Sequence, residues 1–231
     1  MSVLTWDQVG EKTYETGTKM GVLYPQAADG TYPNGVAWNG LTSVSESPDG
    51  GDANDIYADD IKYLVLRGVE NFGGTIEAYT YPDEFAECDG SAQLMSGVTI
   101  GQQPRKTFGF SYVSTIGNDT EMDSHGYKIH LIYGASASPS ERSYETINDS
   151  PEPIQFSWEF TTVPVSVTGH KATSLLIIDS TKFQPQQNGE KNANLKALED
   201  VLYGTDAEGT SAGTSPRLPL PDEVLSILSR T

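Results

Sequence analysis

Over residues 18–167 the apolar positions fall in short runs divided by clusters of Gly, Pro, Asn and Asp, the pattern of an antiparallel β protein. The runs predict strands over 18–24, 35–45, 61–67, 74–81, 106–115, 126–136, 154–167 and 173–180. Three alternate clearly. In 106–115 Phe108, Phe110 and Tyr112 share one face and Thr107, Gly109 and Ser111 the other; in 126–136 Tyr127, Ile129, Leu131 and Tyr133 oppose Lys128 and His130. In 154–160 Ile154, Phe156, Trp158 and Phe160 oppose Gln155, Ser157 and Glu159, until Pro164 removes a ladder donor and marks an edge or a bulge. Each strand is expected to bury one face and leave the other polar, and together they supply most of the core of a sandwich.

Helical signals are fewer. Pro82, Asp83 and Glu84 stand where a helix N-terminus favours them, predicting a short helix over 82–88 that stops near Asp89 and Gly90. A second, about 192–203, carries Leu195, Leu198, Val201 and Leu202 at helical spacing and ends at Gly204. A Gly/Ser/Thr/Ala tract, 204–215, leads into a terminal helix over 222–229 with Val224, Leu225 and Leu228 on one side. Residues 1–17 sustain no period. The expected organisation is an N-terminal arm (1–17), a mainly β antiparallel sandwich or barrel (18–181) and a C-terminal helical extension with a flexible linker (182–231).

Charge narrows the function classes. With 14 Lys+Arg against 32 Asp+Glu the formal charge is −18, and a phosphate-gripping surface needs clustered bases, so strong nucleic-acid binding is excluded. No window approaches the roughly 20 apolar residues of a membrane span, and the first residues lack the basic region and apolar run of a secretory signal. The expected product begins in the cytoplasm and engages no membrane. The single cysteine, Cys88, forms no intramolecular disulfide and no Cys-based zinc site within one chain; it is expected as a structural thiol at the end of the short helix.

Catalytic patterns are present in form only. Residues 209–213 match G-x-S-x-G, but Ser211 lies in a low-complexity tract and the last histidine, His170, precedes it, whereas a hydrolase needs its His downstream. His125 and His130, five apart across a turn and a strand, are expected as surface or interface residues and not as converging ligands. The segment 47–60 holds five aspartates and no base, which in principle cages calcium, but it lacks the ligand spacing of an EF-hand loop. Asn118 and Asn148 match the glycosylation acceptor pattern without a secretory signal. No phosphate-cradling glycine loop is present. The expectation is a protein that is not an enzyme, with no catalytic residue, metal or cofactor.

Several segments, in serial order over about residues 18–228, resemble the major tail (tail tube) proteins of long-tailed, non-contractile phages that infect Gram-positive bacteria. They are 105–112 (RKTFGFSY), 126–135 (GYKIHLIYGA) with 138–151 (SPSERSYETINDSP), 156–164 (FSWEFTTVP), 198–204 (LEDVLYG) and 217–224 (RLPLPDEV). The resemblance implies a tail tube type of β-sandwich with a flanking helix, assembled as hexameric rings that stack into the conduit for DNA ejection. It also implies a virion location, assembly in the host cytoplasm, other tail proteins (tape measure, terminator, distal tail) at the tube ends, and DNA that crosses the lumen without specific binding. By order, the family's inner-barrel strands correspond to 35–45, 61–67, 106–115 and 126–136, whose polar faces give Asn39, Ser43, Thr107, Ser111, Lys128 and His130 as candidate lumen residues. Their assignment depends on register, because a slip of one residue inverts it.

Two further expectations follow. The connection 46–60, too long for a tight hairpin, is read as an irregular loop that contacts the next ring through Glu46, Asp49, Asp52, Asp55, Asp59 and Asp60. The C-terminal helix cannot bury Val224, Leu225 and Leu228 alone, so it must pack on its own sandwich or on a neighbour. The alternative from another class is a carbohydrate- or ligand-binding β-sandwich module, using exposed members of 12 tyrosines and 3 tryptophans.

Overall fold

The longest strand organises the molecule. In the computed structural model, which describes residues 3–147, 149, 152–183, 191–207 and 213–229, strand β10 (Met122–Ala137) serves two partners in turn. Its residues 128–132 pair with β12 (Leu175–Asp179), and its end, 135–137, pairs with β11 (Phe156–Thr162). The switch falls at Gly134, whose φ of 62° and close approach to the Val163 carbonyl exclude a side chain: a Cβ there would lie 2.2 Å from that oxygen.

On one side of β10 lie β9 (Phe108–Asn118), β1 (Thr13–Pro25) and the short β2 (Val36–Trp38); on the other, beyond β11, lie β6 (Asn71–Ala78) and β3 (Leu41–Asp49). The sheet order is β2-β1-β9-β10-β11-β6-β3 with β12 also on β10, and every pairing is antiparallel. The fold is therefore mainly antiparallel β, of sandwich type. Between the layers Leu23, Trp38, Ile76, Phe85, Phe108, Phe110, Ile132, Trp158 and Phe160 form one core. The rings of Trp38, Phe85 and Trp158 meet there at 4.6–5.5 Å in tilted and edge-on arrangements that aromatic quadrupoles favour.

Each predicted strand region is extended, with 35–45 divided into two strands, but the polar faces do not behave as expected. Every residue of β9 is buried. A second core, of Val22, Tyr24, Val113, Ile129, Leu131 and Tyr133, lies on the opposite face of the same strands, under α2 (Ala193–Tyr203) and α3 (Pro221–Leu228). Gly109 makes the room: a Cβ there would meet Leu218 Cδ2 at 2.4 Å. The C-terminal segment packs on its own subunit, and Tyr133 Oη donates to the Pro219 carbonyl at 2.9 Å. The face of α3 is rotated from the expected one, with Val224 and Ile227 buried, Leu228 half-buried and Leu225 48% exposed.

Other boundaries differ for local reasons. The predicted strand 35–45 breaks at Gly40, φ 74°, and its halves join opposite edges of the sheet. The N-terminal arm is shorter than 1–17, because Thr13–Thr16 already pair with β9. A 3-10 turn (Asp83–Phe85) continues into α1 (Ala86–Asp89), ended by Gly90 in the left-handed region, as the spacing predicts. Asn192 caps α2 by accepting from the amides of Asn194 and Leu195. Strands β7 (Ala92–Met95) and β8 (Val98–Ile100) form a small hairpin that no periodicity announces.

Candidate assembly surface

The connection 46–60 is not an irregular loop. Strand β3 runs on to Asp49, and after a glycine neck β4 (Ala53–Ala58) pairs with β5 (Ile61–Arg67). At the neck Gly51 faces Gly68 so closely that a Cβ on Gly51 would meet the Gly68 Cα at 2.8 Å. Asp59 and Asp60 close the hairpin with φ of 52° and 61°, positive at both central positions as a type I′ turn requires. The register places Ile56 opposite Leu64 and Tyr57 opposite Lys62, so one extra residue, Tyr63, sits between the pairs. Residues directly opposite share a face, which puts Ile56, Ile61, Leu64 and Leu66 together and Asp55, Tyr57, Lys62 and Val65 on the other side. An Asp55–Lys62 ion pair at 2.7 Å agrees with this division.

All of β5 is exposed, Ile61 by 63% and Leu66 by 53%, and among the described residues no other strand or helix packs substantially on the hairpin. A two-stranded hairpin is marginal in water. This arm therefore offers a ribbon of aliphatic side chains that only another body can cover.

Below the neck, Glu46 is not available to that surface. Its Oε1 accepts from Tyr112 Oη at 2.7 Å and lies 3.0 Å from His130 Nδ1, while His130 Nε2 lies 3.0 Å from Ser114 Oγ. Tyr112 and His130 stack at 4.4 Å. The cluster ties β3 to β9 and β10 across the sandwich. Burial raises the Glu46 carboxyl, but the hydrogen bonds from His130 and Tyr112 outweigh it and hold the group below its ordinary 4.5. Burial and the Glu46 carboxylate push the Tyr112 phenol up. A depressed carboxyl stabilises the fold fully above its unfolded value and loses that contribution as pH falls through its folded value. Replacing Glu46 by Gln should cost about 1–3 kcal/mol near neutral pH, and the difference should shrink at an acid pH below the ordinary 4.5, as the carboxyl takes up its proton at its depressed value. Melting curves at the two pH values test this; a variant as stable as wild type at neutral pH would show that the cluster contributes nothing.

The other predicted positions separate. Ser111 is fully buried, 3.3 Å from Tyr24 Oη, and His130 is 7% exposed, so neither can form a channel wall; the helices cover the first and Glu46 the second. Lys128 is half-buried and paired with Glu15, Thr107 and Ser43 are half-buried, and Asn39 is exposed. Of the acids, Asp49, Asp52, Asp59 and Asp60 are exposed and Asp55 is taken by Lys62. Cys88 is completely buried beside Phe85, which pushes its thiol up to about 12. Ser211 and Asn148 lie outside the described residues, and Asn118 is buried, its Oδ1 accepting from the Thr120 and Glu121 amides. Among the described residues no three His, Cys, Asp or Glu are placed to hold a metal, and no helix is long and apolar enough to cross a membrane.

No protein-family model matches the chain, and no curated protein matches it. Among solved structures it is similar to a chain of the six-fold symmetrised cryo-EM structure of the anti-feeding prophage baseplate, at 8% identity, over 76% of this chain and 97% of that chain. The TM-score is 0.37, too low to establish a shared fold.

Proposed function

We propose that the chain is a structural subunit of a phage-type tail tube, assembling into hexameric rings that stack through the β4–β5 hairpin. The observation that carries the reading is the uncovered apolar face of that hairpin, in a subunit whose β3 and β2 edges are also free to extend a sheet. The serial tail tube motifs supply the geometry, a closed ring with a heterologous interface. Stacking then rests on Ile61, Leu64 and Leu66 with the exposed acids solvating the rim, in place of the acidic contact expected from the sequence. A charge of −18 suits a conduit that must not hold a moving polyanion. The subunit carries out no chemical step; it is a virion part.

Negative-stain electron microscopy of the purified chain at high concentration tests this. Rings or hollow tubes are expected. Particles that stay monomeric, and that are retained by a polysaccharide column, would replace the reading with that of a ligand-binding sandwich.

A further inference from the structure

We infer that Asn39 is a site of spontaneous covalent modification, at which its carboxamide closes on the Gly40 amide and the products charge or lengthen the link between β2 and β3. The inference goes beyond the assembly reading and does not depend on it.

The chemistry needs no partner but water. The Gly40 nitrogen attacks Asn39 Cγ; the new N–C bond forms as the Cγ–Nδ2 bond breaks, and the proton given up by the Gly40 amide leaves with the side-chain nitrogen as ammonia. Water then opens the cyclic imide at either carbonyl. One opening gives aspartate; the other gives isoaspartate, in which the main chain runs through the side chain and gains an atom. Nucleophile and electrophile belong to adjacent residues, so the rate depends on whether the amide is free to approach. A following glycine hinders the approach least, since no Cβ stands beside the attacking nitrogen.

Asparagine precedes glycine at 34, 39 and 188, the last outside the described residues. Asn34 and Asn39 are both exposed, and the dipeptide alone does not choose between them. The structure does. The Gly35 amide donates to the Pro216 carbonyl at 2.8 Å, and the Leu218 amide donates to the Tyr32 carbonyl at 3.1 Å, so the chain on both sides of Asn34 is tied to the C-terminal segment. Gly35 is also wedged: a Cβ there would lie 2.7 Å from Tyr24 Cε1 and 3.0 Å from Pro216 Cβ. Turning that amide toward Asn34 means breaking a hydrogen bond in packed surroundings.

At Asn39 the opposite holds. Among the described residues neither its carboxamide nor the Gly40 amide has a hydrogen-bond partner, and both residues are exposed. Gly40 is held through its carbonyl, which accepts from the Tyr79 amide at 2.9 Å, with φ at 74°. Its nitrogen is left open to solvent base and to the side chain before it. The position also makes the product matter. Trp38, at the end of β2, is 2% exposed in the inter-layer core, with Nε1 donating to the Thr80 carbonyl at 2.8 Å; Leu41 begins β3 by pairing with Ala78 at the opposite edge of the sheet. Asn39 and Gly40 are the whole connection between them, so an added main-chain atom must be taken up by the indole's seat or by that first β3 pair.

The test ages the full folded chain in mildly alkaline buffer beside a portion unfolded in urea, and maps both by mass spectrometry. Cleavage after Trp38 puts the two asparagines on separate peptides. In the folded chain Asn39 should convert at least about tenfold faster than Asn34, and in urea the two rates should agree within about threefold. An Asn188→Gln background keeps the acidic species to these two sites. From it, the isoaspartyl chain separated by ion exchange should melt about 2–4 °C below its parent, whereas Asn39→Asp, which carries the charge without the extra atom, should melt with the parent. Equal rates in the folded chain, faster conversion of Asn34, or an Asn39 that converts only in urea overturns the selection of Asn39. An isoaspartyl chain that melts with its parent, or Asn39→Asp that melts with the isoaspartyl chain, overturns the lengthened link.

Discussion

Replacing Leu64 and Leu66 by Asp should abolish tube formation while leaving the isolated subunit folded. Both side chains are on the uncovered face of the β4–β5 hairpin, 37% and 53% exposed, so neither contributes to the cores. Covering an aliphatic side chain of this size in a contact is worth about 1.5–3 kcal/mol, and each 1.4 kcal/mol is about tenfold in association. Losing two such contacts weakens each subunit interface by roughly 10²–10⁴, before the cost of desolvating two carboxylates. A stacked ring repeats the loss at every subunit. The matched control is Asp52→Ala, which removes an exposed acid of the connection and should leave assembly nearly unchanged, because exposed ion pairs are worth about 0–1 kcal/mol. Electron microscopy and sedimentation at several concentrations distinguish the two. Normal tubes from the Leu64→Asp, Leu66→Asp protein would remove the hairpin from the interface, and lost tubes from Asp52→Ala alone would restore the acidic contact that the sequence suggested.

The hairpin found where an irregular acidic loop was expected shows where sequence pattern carried information. Alternation located β9, β10 and β11 because the large side chains on one face of each are buried, those of β9 and β11 in the inter-layer core and Ile129, Leu131 and Tyr133 of β10 in the core under the helices. It did not reveal the second buried face of β9. Gly109 and Ser111 count as polar or neutral in any pattern, yet their small size lets Leu218 and Tyr24 approach. Burial there is decided by residues about 100 positions away, which periodicity cannot see. The hairpin was hidden for a different reason. Residues 52–55, Asp-Ala-Asn-Asp, have low strand propensity, and the turn is Asp59-Asp60 where Asn-Gly is the usual signal. The strand forms because β5 opposite is rich in β-formers. Glu46 was misplaced by a boundary: ending the strand at 45 puts it in a loop, whereas ladder pairing to Gly74 keeps it in β3, facing His130.

Ile227→Ala should lower subunit stability by about 2–5 kcal/mol, while Leu225→Ala should change it by less than about 0.5. Both residues are on α3, two apart, and the sequence permits either phase: Val224, Leu225 and Leu228, or Val224, Ile227 and Leu228, each follow a helical spacing. The structure chooses the second, with Ile227 2% and Leu225 48% exposed. Pro221 at the first turn, Asp222 bound to the Thr168 amide and hydroxyl, and an Arg217–Glu223 ion pair at 2.5 Å fix the helix against rotation. For a chain of this size each kcal/mol moves the melting temperature by about 2–4 °C, so the first variant should melt roughly 4–20 °C lower. Truncation after Gly204 goes further. It removes Leu218, Val224 and Ile227 from the helix-side core, opens Tyr24, Leu131 and Tyr133 to water, and takes away the Pro219 carbonyl that accepts from Tyr133. Three such side chains are worth about 5–9 kcal/mol against a total stability of about 5–15, so the truncated chain should fail to fold at ordinary temperature and not merely lose assembly. Equal losses from Leu225→Ala and Ile227→Ala, or a truncated chain that melts cooperatively near the wild-type temperature, would mean that α3 does not seal the second face of the sheet.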